Sequence, residues 1–120
     1  MGMPSNPYKK LLRVIPDLLS IKEYRKLEAG GFMDLHVDIL YKEGNKIRIA
    51  MAHNYIKNGD VCPDPDCELD VDIKAETVNM KTFQNIYIYS VVEDGDEKLQ
   101  KELNEFLDLW LTNLIDQGHK

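Results

Sequence analysis

Between Ala52 and Glu68 the chain places one histidine, three aspartates, two cysteines, an Asn-Gly pair and two prolines. His53, Asp60, Cys62, Asp64, Asp66 and Cys67 offer imidazole, carboxylate and thiolate donors, each of which binds zinc. Their spacing fits a structural zinc site poorly, because such sites draw on a second Cys or His pair further along the chain, and none follows. Calcium is a weaker match, since Asp60, Asp64 and Asp66 lack the closely spaced oxygens and the late Glu of a helix-loop-helix calcium loop. Acid-base chemistry would use His53 with Asp60 or Asp64, an aspartate orienting the ring as a general base. Neither cysteine has a helix N-terminus or a basic neighbour to lower its pKa. Gly-x-Ser-x-Gly, the phosphate-binding glycine loop and His-Glu-x-x-His are all absent.

The same residues also have a purely structural explanation. Asn58-Gly59 suits a turn with positive φ, Asp60 can hold nearby amides, and Pro63 and Pro65 restrict the backbone. On this view the stretch is a shaped loop between two strands. A buried His53 at a strand end then needs a hydrogen-bond partner, which an Asp of the following loop would supply. His53, Tyr55, Asn58, Gly59, Asp60, Asp64 and Asp66 are the binding candidates, with His53, Asp60, Cys62, Asp64 and Cys67 the less favoured metal set. No catalytic residue is assigned and no cofactor is implied.

The elements that must position this stretch follow from hydrophobic period. Asn6-Pro7 starts a helix over 7–14, since Asn caps free amides and Pro tolerates the first helical turn, and Pro16 ends it. Ser20-Ile21-Lys22-Glu23 reads as a capping box opening a second helix over 20–28, closed by Gly30-Gly31. From Met33 the period becomes two, with Met33, Leu35, Val37, Ile39 and Tyr41 on one face. Ile47, Ile49, Met51, His53 and Tyr55 repeat it, joined through a three-residue loop, Glu43-Gly44-Asn45, that sets Ile39 against Ile49, Val37 against Met51 and Leu35 against His53. Leu69, Val71 and Ile73 form a third strand. A two-residue turn at Ala75-Glu76 then sets Ile73 against Val78, Val71 against Met80 and Asp70 against Lys81. Residues 83–92 either extend the fourth strand or form a fifth. Leu99, Leu103, Phe106, Leu107, Trp110, Leu114 and Ile115 make the stripe of a long helix, capped by Asp94 or Asp96 and ended by Gly118.

The expected fold class is α+β, an antiparallel four- or five-stranded sheet with two short N-terminal helices and one long C-terminal helix packed on one face. One domain over 1–120 is expected, with residues 1–6 flexible; a chain of this size buries about two-thirds of its unfolded surface. The net charge of −6 argues against nucleic acid and anionic membranes, both of which are bound chiefly through Lys and Arg. No apolar run approaches the roughly 18 residues of a membrane span and no secretory segment is evident, so a cytoplasmic location with reduced thiols is expected. On the strand's other face, His36 between Asp34 and Asp38 forms an acidic patch with Asp70 and Asp72 if their strands are neighbours. With Tyr87 and Tyr89 beside it, that face could accept a protein partner or a second copy of the chain.

Gly31-Phe32-Met33, Ala52-His53-Asn54-Tyr55, Asn58-Gly59-Asp60, Asp64-Pro65-Asp66, Phe106-Leu107, Trp110-Leu111, Asn113 and Gln117-Gly118 together resemble a family of uncharacterised bacterial and mobile-element proteins, a domain of unknown function. The resemblance covers nearly the whole chain and centres on a signature similar to A-H-Y-x-x-Q-N-G-D-x-M-x-D-P-x-M. It implies no activity. Cys62 and Cys67 stand where that signature carries Met, and Asn54 and Lys57 where it carries Tyr and Gln. Cys and Met share a role as soft apolar fillers, which weakens the thiols as metal ligands. The favoured function is therefore a small binding or adaptor domain using the 53–67 stretch or the outer sheet face. The alternative is a metal-dependent or His/Asp-based hydrolase centred on His53 and residues 58–67.

Overall fold

The computed structural model describes residues 7–57, 60–85 and 87–120, and of residues 54–57 and 60–64 the backbone alone. The expected flexible leader 1–6 lies outside the described residues. In chain order the elements are α1 (Pro7–Val14), a short 3-10 turn (Leu18–Ser20), β1 (Tyr24–Leu27), β2 (Leu35–Glu43), β3 (Lys46–Lys57), β4 (Asp60–Asp72), β5 (Thr77–Gln84), β6 (Tyr89–Val91) and α2 (Glu97–Gln117). The strands form one six-stranded antiparallel sheet in sequential order. The α+β class holds, with six strands instead of four or five and two α-helices instead of three.

The second expected helix is the main correction. Ile21, Tyr24 and Leu27 recur every third residue, as on a helix, but Tyr24–Leu27 lies against β2 as an edge strand with Tyr24 opposite Asp38 and Leu27 opposite Leu35. Strand geometry buries Leu27 and leaves Tyr24 half exposed. A capping box stabilises a helix by about 1 kcal/mol, less than the ladder and core contacts that the open edge of β2 provides.

The β2–β3 register keeps Ile39 opposite Ile49 and Val37 opposite Met51, yet the connection is not the expected three-residue loop. Glu43 pairs with Lys46, and the register shifts between Ile39 and Tyr41. A tight turn at Gly44, with φ 59°, closes the hairpin, and the bulge at Leu40 turns Tyr41, expected on the apolar face, outward opposite Arg48, where it is half exposed. The β4–β5 connection also differs, with Asp72 opposite Thr77, Val71 opposite Val78 and Leu69 opposite Met80. The register is offset by two residues from the expected one, which keeps Val71, Val78 and Met80 on their predicted face. Lys81, expected beside Asp70 on the outer face, is instead the extra residue at a register shift and donates to Gln100 of α2 at 2.8 Å. Asp70 therefore meets Asn79 and not Lys81. The turn spans Ile73 to Glu76, the Ala75 amide donating to Asp72 Oδ1 at 3.0 Å. Residues 83–92 divide between the end of β5 and the separate strand β6, with Ile86 outside the described residues.

Both helices cover one face of the sheet. Leu11, Val14 and Ile15 from the α1 region and Leu103, Leu107, Trp110, Leu111 and Leu114 from α2 are buried with Val37, Ile49, Met51, Leu69 and Met80. Lys10 of α1 bonds Asp108 and Thr112 of α2, each at 2.9 Å. A polar clamp joins α2 to β5. A register shift falls between Glu68 and Leu69 of β4, where Met80 and Thr82 of β5 face consecutive residues. There the Met80 amide donates to Asn104 Oδ1 at 2.9 Å while Gln100 Nε2 donates to the Met80 carbonyl at 2.8 Å.

Candidate functional site

The expected loop at 52–68 is a long antiparallel hairpin. β3 continues to Lys57 and β4 begins at Asp60, with Asn54 opposite Pro63, Tyr55 opposite Cys62 and Lys57 opposite Asp60. Two prolines did not prevent pairing, because an antiparallel ladder bonds alternate residues and the others tolerate a missing amide hydrogen. Asn58 and Gly59, between the paired Lys57 and Asp60, lie outside the described residues, as do the side chains of Tyr55, Asp60, Cys62 and Asp64.

His53 is 7% exposed and sits on the core side of the sheet. Its Nδ1 is 2.9 Å from the carbonyl oxygen of Asp34, in the segment preceding β2, while the Asp60 and Asp64 side chains, expected as its partners, lie outside the described residues. A carbonyl only accepts, so Nδ1 carries the proton. The edge of Trp110 meets the ring, with centroids 5.6 Å apart, and His119 lies 5.5 Å away by the same measure. His119 is itself buried and donates from Nε2 to the Met33 carbonyl at 2.8 Å. Two adjacent carbonyls thus orient two histidines from opposite ends of the sequence. His119 Nδ1 and Trp110 Nε1 are buried without a hydrogen-bond partner among the described residues.

His119 was not among the candidate residues, although Gly118 pointed to it. Gly118, at φ 81°, closes α2 with its amide on Ile115, and the His119 amide reaches the Leu114 carbonyl. This paired bonding returns the residue after the glycine onto the last turn of the helix, against the end of β3. Reciprocal backbone bonds of 3.0 and 3.1 Å between Glu28 and Lys120 then fasten the chain to the end of β1.

Cys67 is fully buried on the core side, where burial, and then the charge of Asp66, pushes its thiol far above the ordinary range. This is a packing residue, because a thiol held protonated neither attacks nor ligates. Among the described residues no three His, Cys, Asp or Glu side chains are grouped to hold a metal.

The opposite face of the sheet carries the polar residues. The register aligns two rows across it, Lys26, His36, Ala52, Asp66, Gln84 and Tyr89 in one and Tyr24, Asp38, Ala50, Glu68, Thr82 and Val91 in the other. Ala50 and Ala52 make a low floor between Asp38 on one side and Asp66 and Glu68 on the other. Partial burial, then the charges of Glu68 and Asp38, hold the Asp66 carboxyl above its ordinary range. The expected patch of Asp34, Asp38, Asp70 and Asp72 does not assemble, because β3 separates β2 from β4. Arg48 of β3 instead pairs with Asp70 and, at 3.1 Å, with Glu68. His36 bonds Tyr24 across β1 and β2. Towards the β4–β5 turn a recess of about 250 Å³ is lined by Tyr41, Lys46, Asp70, Asp72, Thr77 and Asn79 among others.

No helix of the described residues is long and apolar enough to cross a membrane. No curated protein and no solved structure matches the chain. The model of one family matches residues 6–120, and the chain therefore belongs to that family, described as a domain of unknown function (DUF6908).

Proposed function

We propose that this domain is a binding or adaptor module whose working surface is the open face of the sheet, and that its partner there is a Lys- or Arg-bearing protein segment. The observation that carries the proposal is that α1 and α2 pack on the same face, α2 against β5 and against α1, leaving the rows through Ala50 and Ala52 without a helix over them among the described residues, the small Ala52 lying 9% exposed at the bottom. Small residues between carboxylates form a trough into which a long cationic side chain can lay its methylene stem, with its charged end on an acid. Asp38, Asp66 and Glu68 supply more negative charge than Arg48 and Lys26 neutralise, and after partial burial the charges of Glu68 and Asp38 help to raise the Asp66 pKa. His53 supports this surface from behind by fixing the end of β3. Its burial against Trp110 and His119 suits an organising role better than that of a general base, which must reach its substrate.

The test is titration of isotope-labelled protein with oligolysine, followed by amide shifts. Binding should move Asp38, Ala50, Ala52, Asp66 and Glu68, weaken as salt rises, and fall at least several-fold in an Asp66→Asn, Glu68→Gln double variant. Shifts confined to the helices, or equal binding of oligoglutamate, would reject this surface.

A further inference from the structure

We infer that the β6 edge is a self-association seam, at which a second copy of this chain adds its own β6 antiparallel across a two-fold axis at Ser90. The two edges of the sheet differ. β1 carries Arg25 and Lys26, and Glu28 at its end is tied to Lys120, which are devices that discourage further pairing. β6 has none of these beyond its shortness. Residues 82–92 form the longest uncharged stretch of a chain that is 30% charged. Tyr87, Ile88, Tyr89 and Val91 in this stretch are 84, 55, 63 and 45% exposed.

Backbone alternation sets the register. The Asn85 amide bonds the Ile88 carbonyl and the Val92 amide bonds the Lys81 carbonyl. Residues 88, 90 and 92 therefore direct their polar backbone groups at β5, while Tyr89 and Val91 direct theirs at the open edge. About a two-fold at Ser90, Tyr89 of each copy would face Val91 of the other and exchange both backbone bonds with it. Each such pair sets an aromatic ring beside a β-branched side chain on the same face, a favourable cross-strand combination. Ser90 would meet its own copy at a non-bonded position, where the closest side-chain approach calls for a small residue.

Charge permits a copy as occupant despite the net −6. The acidic β4 strands of the two copies would be five strand spacings apart, roughly 24 Å at about 4.8 Å each, beyond the Debye length of about 8 Å at physiological salt. A strongly charged strand would gain nothing from this neutral edge. The seam is small beside the roughly 1,200 Å² of a standard stable interface, so association should be concentration-dependent.

Sedimentation and light scattering of the full chain, in a series reaching about 1 mM, cover the range such a seam requires. The expected mass rises from 13.9 kDa towards twice that value, and added salt does not reduce it. Tyr89→Lys and Val91→Lys should each remain monomeric with an unchanged circular dichroism spectrum, while Leu109→Lys, on the exposed side of α2, should still dimerise. In a Cys62→Ser background, Ser90→Cys should give an oxidised covalent dimer, since facing residues at a non-bonded position are within disulfide reach. A monomer at every concentration overturns the proposal. So does a dimer that survives Tyr89→Lys but not Leu109→Lys, growth beyond two copies, dissociation by salt, or a dimer that Ser90→Cys fails to link.

Discussion

Cys67 and His53 show how burial decides what a reactive side-chain type does. Both have donor atoms suited to chemistry, and both point into the core among Met51, Leu69 and Trp110. With its thiol pKa raised, Cys67 should resist a disulfide reagent at pH 8 in a Cys62→Ser background, reacting only as fast as the protein unfolds. The unfolded chain loses the thiol proton near its ordinary value of 9.0, while the folded chain keeps it. Stability should therefore fall as pH rises above about 9, and Cys67→Ala should remove that dependence. Urea denaturation across alkaline pH measures both. Rapid labelling of the native protein at pH 8 would show the thiol to be accessible. The His53 environment was only half legible, since strand period placed the ring on the apolar face but could not name Met33, Asp34 or His119 as its surroundings.

Among the elements, α2 is the most directly written in sequence. Its apolar stripe, the Asp96 cap and the Gly118 terminus all coincide with the observed helix, because each depends on neighbours within a few residues. β1 was misread because its local signals favour a helix, and only the β2 edge supplies the partners that make it a strand. The Asn104 clamp was likewise invisible, since it answers a register shift whose position depends on how β4 and β5 meet. Asn104→Ala should cost about 1–3 kcal/mol in urea denaturation by leaving the part-buried Met80 amide without an acceptor. Asn104→Asp keeps that acceptor and should cost less. Equal losses in the two variants would show that the Met80 bond is not what matters.

For the whole molecule, packing both helices on one side leaves a sheet with one apolar face and one acidic face. The acidic face opposes stability slightly, because Asp66 ionises next to Glu68 and Asp38 while partly buried. A folded-state pKa above the ordinary 3.8 lowers stability as pH rises through it. Asp66→Asn should accordingly stabilise the protein at pH 7, by about 0.5 kcal/mol once solvent screening is allowed for. The gain should vanish as pH falls below the ordinary carboxylate value. Thermal unfolding of both proteins at pH 7 and pH 3 provides the comparison, and a gain that persists at pH 3 would point to packing instead. Self-pairing at β6 would set two such faces side by side in one continuous sheet and present a basic partner with two troughs.

The sequence alone determined that Leu35, Val37, Ile49, Met51, Leu69, Val71, Val78 and Met80 face inward, where α2 begins and ends, and the α+β class, but not the outward turn of Tyr41. Side-chain period, caps and glycine termini are local, and the two-residue β4–β5 offset changed the pairings of Val71, Val78 and Met80 without changing their faces, whereas the one-residue shifts that turn Tyr41 and Lys81 depend on how the strands meet. Tertiary structure alone decided that residues 24–27 form a strand, that 52–68 is a hairpin, and that β3 lies between the two acidic strands. It also brought His119 to His53. Each of these outcomes depends on which distant backbone edge or ring is available as a partner, and sequence spacing carries no information about that.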